Sequence, residues 1–343
     1  MRTKTIVSAL ILAIVLVGII SFVSDGFIYG SVVKELKTPV KKPKTGATVE
    51  EVIKEVPKPE ESKEQPVEEQ PSETQTPTEN QTIENQTKEA LFSIQSVSIT
   101  SCSNLTSPNT VYTLSNDIYG VQSGRNICID IQADNITLDC QGHTIDYNDS
   151  SDTYGIYLNN RKNITIKNCV VNDYDTGIYL DSSSNNNIVN NTAISNSDGI
   201  YLIVSSNNTL TNNTASNNFY GIHLYSSSNN NNIANNTVRS NGDGIYLLSR
   251  SNYNILVNNT LNSNKECGVH IEYSSHNTIE DNTINSNTKN GIHIVDSSHN
   301  NIINNTIASN SVAGIHLTKS QNGQGSSNND IQDNLSLIHI WRC

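Results

Sequence analysis

From Tyr154 onward the chain repeats one short pattern of apolar and polar positions. Gly-Ile-Tyr-Leu begins at Gly155, Gly177, Gly199 and Gly244, and variants with His in third place begin at Gly221, Gly268, Gly291 and Gly314. Successive copies lie about 22 to 24 residues apart, a period typical of stacked repeats. The tetrapeptide alternates as a strand does, with Ile and Leu inward and Tyr or His outward. A second block precedes most copies: Ile188–Ala193, Leu210–Ala215, Ile233–Val238, Leu256–Leu261 and Ile279–Ile284 all read apolar-x-Asn/Asp-Asn-Thr-apolar. These pieces are too short for helices. One repeat therefore predicts one coil of two or three short strands, with Ile188 and Ala193 bracketing a corner. A leucine-rich repeat has a similar period, but its leucine and helix pattern is absent.

A single coil cannot bury its inward side chains alone, so it must stack on the next. The core is then a narrow column that needs only a few aliphatics per turn. Asn is expected to hold the corners. The second Asn of each block (Asn191, Asn213, Asn236, Asn259, Asn282 and Asn305) is predicted to sit in a left-handed backbone conformation, which Asn tolerates better than most residues. Stacked coils would place these amides above one another as a hydrogen-bonded ladder.

Composition agrees with a thin core. The 343 residues are 35% hydrophobic and 16% charged, against about 45–50% and 25% in ordinary globular domains. The net charge of -12 argues against nucleic acid, which requires a basic footprint.

Before the repeats the pattern changes twice. Arg2 and Lys4 precede an uncharged, largely apolar run from Ile6 to Val23. Its length suits a bilayer span, and no clear small-x-small cleavage site follows. Residues 1–29 are thus expected to form a signal anchor with its basic end inside; a cleaved signal peptide is the alternative. Residues 30–90 are rich in Lys, Glu, Pro, Thr and Gln and contain no aromatic residue. Such a segment cannot offset its ordering entropy by burial and should act as a disordered stalk. The β-solenoid is expected over 91–334. Residues 335–343, Leu-Ser-Leu-Ile-His-Ile-Trp-Arg-Cys, break the repeat and resemble the translated end of a sequencing adapter, so they are expected to be foreign to the gene.

From Val111 to Asn334 the repeats, together with Asn126–Asp149, resemble the right-handed parallel β-helix proteins of the pectin-lyase-like superfamily. The similarity is to the short-repeat surface proteins of the NosD type. The resemblance implies an all-β, single-stranded parallel β-helix on the cell surface. It leaves the activity open, because the superfamily holds lyases, hydrolases, binding modules and structural proteins.

Export permits disulfides. Cys102, Cys128, Cys140 and Cys169 cluster in the first coils, where one or two bridges would tie down the start of the solenoid. Sequence alone does not fix the pairing.

Stacking converts a repeat position into a surface column. The outward residues Tyr157, Tyr179, Tyr201, His223 and Tyr246, with Tyr225 beside them, form a candidate ligand platform on which sugars would stack. His270, His293 and His316 lie on consecutive rungs and are candidates for Cu or Zn, a reading the NosD label encourages. His276 and His299 form a second pair. Asp198 and Asp243, two rungs apart, come near the upper limit for a glycosidase pair, whereas Asp181 and Glu272 are too far apart. The Asn-Asn-Thr blocks also contain glycosylation sequons, with Asn190, Asn212, Asn235, Asn258 and Asn304 as acceptors. The expected function is glycan binding or envelope structure by a membrane-anchored surface protein. A polysaccharide lyase or glycoside hydrolase is the alternative, and a copper-binding protein comes third.

Overall fold

The structure is a computed structural model that describes residues 95–321 and 323–337. The expected anchor (1–29) and stalk (30–90) lie outside the described residues, as do residues 338–343. Among the described residues no helix is long and apolar enough to cross a membrane.

The described chain winds into a right-handed parallel β-solenoid of about nine turns without helices. A representative coil has three strands: Asn187–Val189, Thr192–Ile194 and Asp198–Ile203. They belong to three faces, called here the first, second and third. Pairing between coils is parallel and in register. Ile188 lies between Ile166 and Leu210, Ala193 between Val171 and Ala215, and Ile200 between Ile178 and Ile222. Ile188, Ala193, Ile200 and Leu202 are all fully buried. Four aliphatics per coil thus suffice for the core, which accounts for the low hydrophobic content.

The corner between the first and second faces corrects one expectation. The left-handed residue is the first Asn of each block, not the second: Asn190, Asn212, Asn235 and Asn258 have φ of 56, 58, 58 and 55°. These side chains are exposed. The second Asn is the buried one, and it forms the expected ladder. Asn213, for example, donates Nδ2 to Asn236 Oδ1 (3.1 Å) and to the Ile188 carbonyl (2.8 Å). Two roles assigned to one residue are divided between neighbours. The exposed Asn supplies backbone tolerance, and the buried one supplies the hydrogen bonds.

Two further Asn ladders escaped the sequence reading. Asn186, Asn208, Asn231, Asn254, Asn277 and Asn300 run up one corner, and Asn196, Asn218, Asn241, Asn264 and Asn287 up another, all buried and linked amide to amide. A column of buried serines (Ser183, Ser205, Ser228, Ser251, Ser274, Ser297) accompanies them. Each takes the place of a corner where buried backbone N–H groups would otherwise lack acceptors.

At the amino-terminal end, Cys102 bonds Cys128 and Cys140 bonds Cys169. All four expected cysteines are used. Cys267 is buried and free. At the other end Leu335–Leu337 continues the second face by pairing with Thr306–Ala308.

Candidate functional site

The third face carries the longest strands and the outward column of aromatic residues. In each Gly-Ile-Tyr/His-Leu strand the two aliphatics point inward, and the residue between them points out. The register places Tyr157, Tyr179, Tyr201, His223, Tyr246, His270, His293 and His316 on consecutive rungs, as the repeat predicts.

These rings stack on one another. Tyr179 and Tyr201 have centroids 5.2 Å apart at 20°, Tyr201 and His223 4.7 Å at 20°, and His223 and Tyr246 5.3 Å at 10°. Tyr246 and His270 continue at 4.6 Å, and His293 follows at 4.9 Å and His316 at 5.1 Å. Each interior ring therefore spends both faces on its neighbours. The expected platform exists as a column, but a sugar approaching from solvent meets ring edges and hydroxyls rather than open ring faces. Tyr154 and Tyr220, unremarked in the sequence, flank the column and contact Tyr179 and Tyr246. Their signal was available: each directly precedes a repeat glycine.

The same pre-glycine position carries Asp198 and Asp243, two rungs apart with Tyr220 between them. Each binds a histidine on the following coil. His223 Nδ1 lies 2.9 Å from Asp198 Oδ1, and His270 Nδ1 lies 3.2 Å from Asp243 Oδ2. The other ring nitrogen of both histidines is buried without a hydrogen-bond partner. Asp243 also accepts the Cys267 backbone N–H (2.9 Å). Tyr246 donates to Glu272 at 2.6 Å. Burial raises the Tyr179, Tyr201 and Tyr246 phenols well above the ordinary value, and the Glu272 hydrogen bond raises Tyr246 further. They are neutral hydrogen-bonding groups at physiological pH. No strand of this face between Tyr154 and Thr318 contains Lys or Arg.

The fold and this face define a class: right-handed parallel β-helix proteins with a repeated polar and aromatic surface. A family described as "Periplasmic copper-binding protein (NosD)" matches residues 95–267, and one described as "Right handed beta helix region" matches 249–342. The chain belongs to the NosD family. No curated protein matches it significantly. Among solved structures it is similar to the periplasmic alginate epimerase AlgG at 18% identity, covering 68% of this chain and 62% of that one, with a TM-score of 0.53. It is also similar to the Azotobacter vinelandii mannuronan C-5 epimerase AlgE4 A-module (16% identity, 71% and 86% covered, TM-score 0.54). A third similar structure is the Dettilon tailspike protein gp208 (18%, 71% and 55% covered, TM-score 0.58). The chain spans less than two thirds of the length of AlgG and of the tailspike. At these identities the shared feature is the fold.

The family description implies copper. The residues present do not fit it. His270, His293 and His316 are brought together, but their rings lie nearly parallel at 4.9 and 5.1 Å. Their in-plane lone pairs run side by side instead of converging at a metal distance of about 2.0–2.1 Å. His276 and His299 repeat this arrangement at 5.0 Å. Cys267 is buried, with burial raising its thiol to about 11, and its polar side-chain partner is the Asn290 amide. Among the described residues no three His, Cys, Asp or Glu side chains gather as a metal site.

Proposed function

We propose that this is an envelope or extracellular β-helix protein, held to a membrane by residues 1–29, whose third face binds neutral glycans. The observation that carries this reading is the uninterrupted column from Tyr157 to His316, in which Tyr157, Tyr179 and Tyr201 present phenol hydroxyls on successive rungs while His223 and Tyr246 are buried beside their carboxylate partners. A polymer lying along the solenoid would meet the three phenols in sequence and acidic side chains beyond them. The absence of Lys and Arg from these strands, with Asp181, Asp198, Asp243 and Glu272 present, favours neutral sugars over polyanions. The two disulfides accord with an oxidising compartment. Family members are described as periplasmic, which supports the location. Two proteins of the same fold are named for alginate and mannuronan, which supports a carbohydrate ligand. Those polymers are anionic, so the preference for neutral sugars rests on the charge of the third face alone.

The test is retention of the full chain by cellohexaose, mannohexaose and xylohexaose, with oligoguluronate as the anionic comparison. Because ring edges and hydroxyls make the contact, Tyr179→Phe with Tyr201→Phe should weaken neutral glycan binding while preserving the stack. Unchanged binding by that double variant would remove the third face from the reading. The paired Asp198–His223 and Asp243–His270 contacts favour one second reading, a lyase or hydrolase of the same polymers. Reducing-end and unsaturated-product assays on the same samples separate the two.

A further inference from the structure

Left-handed backbone positions mark every corner of the solenoid, and almost all are occupied by Asn, Asp or Ser. Apart from Gln141, the exceptions are Val204, Arg250, Tyr253, Tyr273, His276 and His299. All six lie on one edge, the turn that leads from the third face to the first. A left-handed conformation costs a branched or bulky residue about 1–2 kcal/mol, a penalty Asn largely escapes. Strain concentrated at one place on a regular scaffold points to a use for that place.

Tyr253, with φ of 58°, occupies a column that holds Asn185, Asn207 and Asn230 before it, His276 and His299 after it, and Asn328 beyond them. Its ring stacks on His276 at 5.0 Å and 9°, and His276 stacks on His299 at 5.0 Å and 13°. Tyr253 is thus the end of a three-ring stack. On its other side the column continues with Asn230, whose side chain is shorter than a phenol ring. Tyr253 is 55% exposed. The interior third-face rings have aromatic neighbours above and below, whereas this one has an aromatic neighbour on one face only. Close by in sequence, Ile255 is 46% exposed in an outward first-face column that holds Asn187, Thr209, Asn232, Thr278 and Asn301 in other coils. An apolar residue has replaced a polar one two positions along the chain from Tyr253, and both are exposed. Asn252 and Arg250 supply amide and guanidinium groups in the same turn.

We propose that this turn is a second glycan contact, in which one pyranose ring lies on the open face of Tyr253 and takes the place of the missing next ring of the stack. The apolar C–H face of the sugar packs on Tyr253 and Ile255, and its hydroxyls meet the Asn230, Asn252 and Arg250 side chains. An aromatic ring contributes area at little entropic cost and leaves its hydroxyl in water. The inference rests on the glycan-binding reading but uses residues outside the third face.

The experiment compares the full chain with Tyr253→Asn, which restores the residue usual in this column. Binding of cellohexaose, mannohexaose and xylohexaose is measured beside thermal unfolding. The expected result is about two- to tenfold weaker binding, with a melting temperature unchanged or raised because backbone strain is relieved. A lowered melting temperature would show that Tyr253 serves packing, and unchanged binding would show that no sugar rests on it; either overturns the inference. Tyr179→Phe with Tyr201→Phe is run in parallel. Loss at Tyr253 alone supports this turn and removes the third face, and loss at the third face alone does the reverse. A wild-type chain that binds none of the three hexaoses overturns both.

Discussion

Asn236 Oδ1 accepts two hydrogen bonds from Asn213, one from its backbone N–H at 2.8 Å and one from its side-chain amide at 3.1 Å. Asn236 in turn donates Nδ2 to the Leu210 carbonyl (2.9 Å) and to Asn259 Oδ1 (3.0 Å). One side chain therefore bonds groups on both neighbouring coils and ties three coils together. Asn236→Ala should orphan the buried Asn213 N–H, at about 1–3 kcal/mol, and strip one of the hydrogen bonds at the Leu210 carbonyl. Asn235 is different. It is exposed and left-handed, so Asn235→Ala should cost about 1 kcal/mol through backbone strain, and Asn235→Gly almost nothing. Urea midpoints rank the three variants. Equal losses for Asn236→Ala and Asn235→Ala would refute the division of roles.

The repeat glycines make a second prediction. A Cβ built on Gly199 would lie 2.5 Å from the Gly221 carbonyl oxygen and 2.8 Å from Asn218 Nδ2. The obstacle is the backbone of the next coil and a member of a ladder, neither of which can swing aside. Gly199→Ala should therefore destabilise by about 1–3 kcal/mol, the range for overpacking a filled interior. Gly120 has open space around its Cβ position but a φ of 112°. Replacing it tests conformation instead of contact. A melting temperature unmoved by Gly199→Ala would show that coils can separate locally at no cost.

The Gly-Ile signal was legible as a strand marker, and the coil architecture followed from its period. Its physical cause was not legible, because one chain segment does not reveal how closely the next coil approaches. The Asn blocks were read as ladders, but the left-handed corner was assigned to Asn191 when it belongs to Asn190. Both readings satisfy the same spacing, and only burial separates them. The ladders through Asn186 and Asn196 were hidden by composition, since asparagine is so common that no single one stands out. The third-face column was predictable from register alone. Ring orientation was not, and it decides what Tyr201 and His293 can offer a ligand.

The disulfides should act locally. They close loops of 26 and 29 residues in sequence separation, each worth about 3–4 kcal/mol in the chain-entropy account. Stability in a solenoid is close to a sum of coil and interface terms. Reduction should accelerate amide hydrogen exchange in the coils from Cys102 to Cys169 and leave the coils around Asn259 nearly unchanged. A uniform acceleration from end to end would show that the solenoid unfolds as one unit, contrary to this expectation.

Acid sensitivity should centre on His293. Burial lowers it to about 4 from an ordinary 6.5, and the neighbouring His270 and His316 add to the effect; Asp243 opposes it and Lys289 assists slightly. Between pH 6.5 and about 4 the unfolded chain binds the proton that the folded chain resists. Stability contributed by neutral His293 is thus complete above 6.5 and declines as the pH falls toward 4. Asp117, Asp139 and Asp296 are held below the ordinary carboxylate value of 3.8, so they act in a more acidic range. His293→Tyr places in the column a residue already present at Tyr246, which can stack but cannot take up a proton there. Melting temperatures at pH 7 and pH 4.5 should differ less for the variant than for the parent chain. An equal acid shift in both would mean that the stacked imidazoles titrate freely, and the close packing of His270, His293 and His316 would then have no bearing on stability.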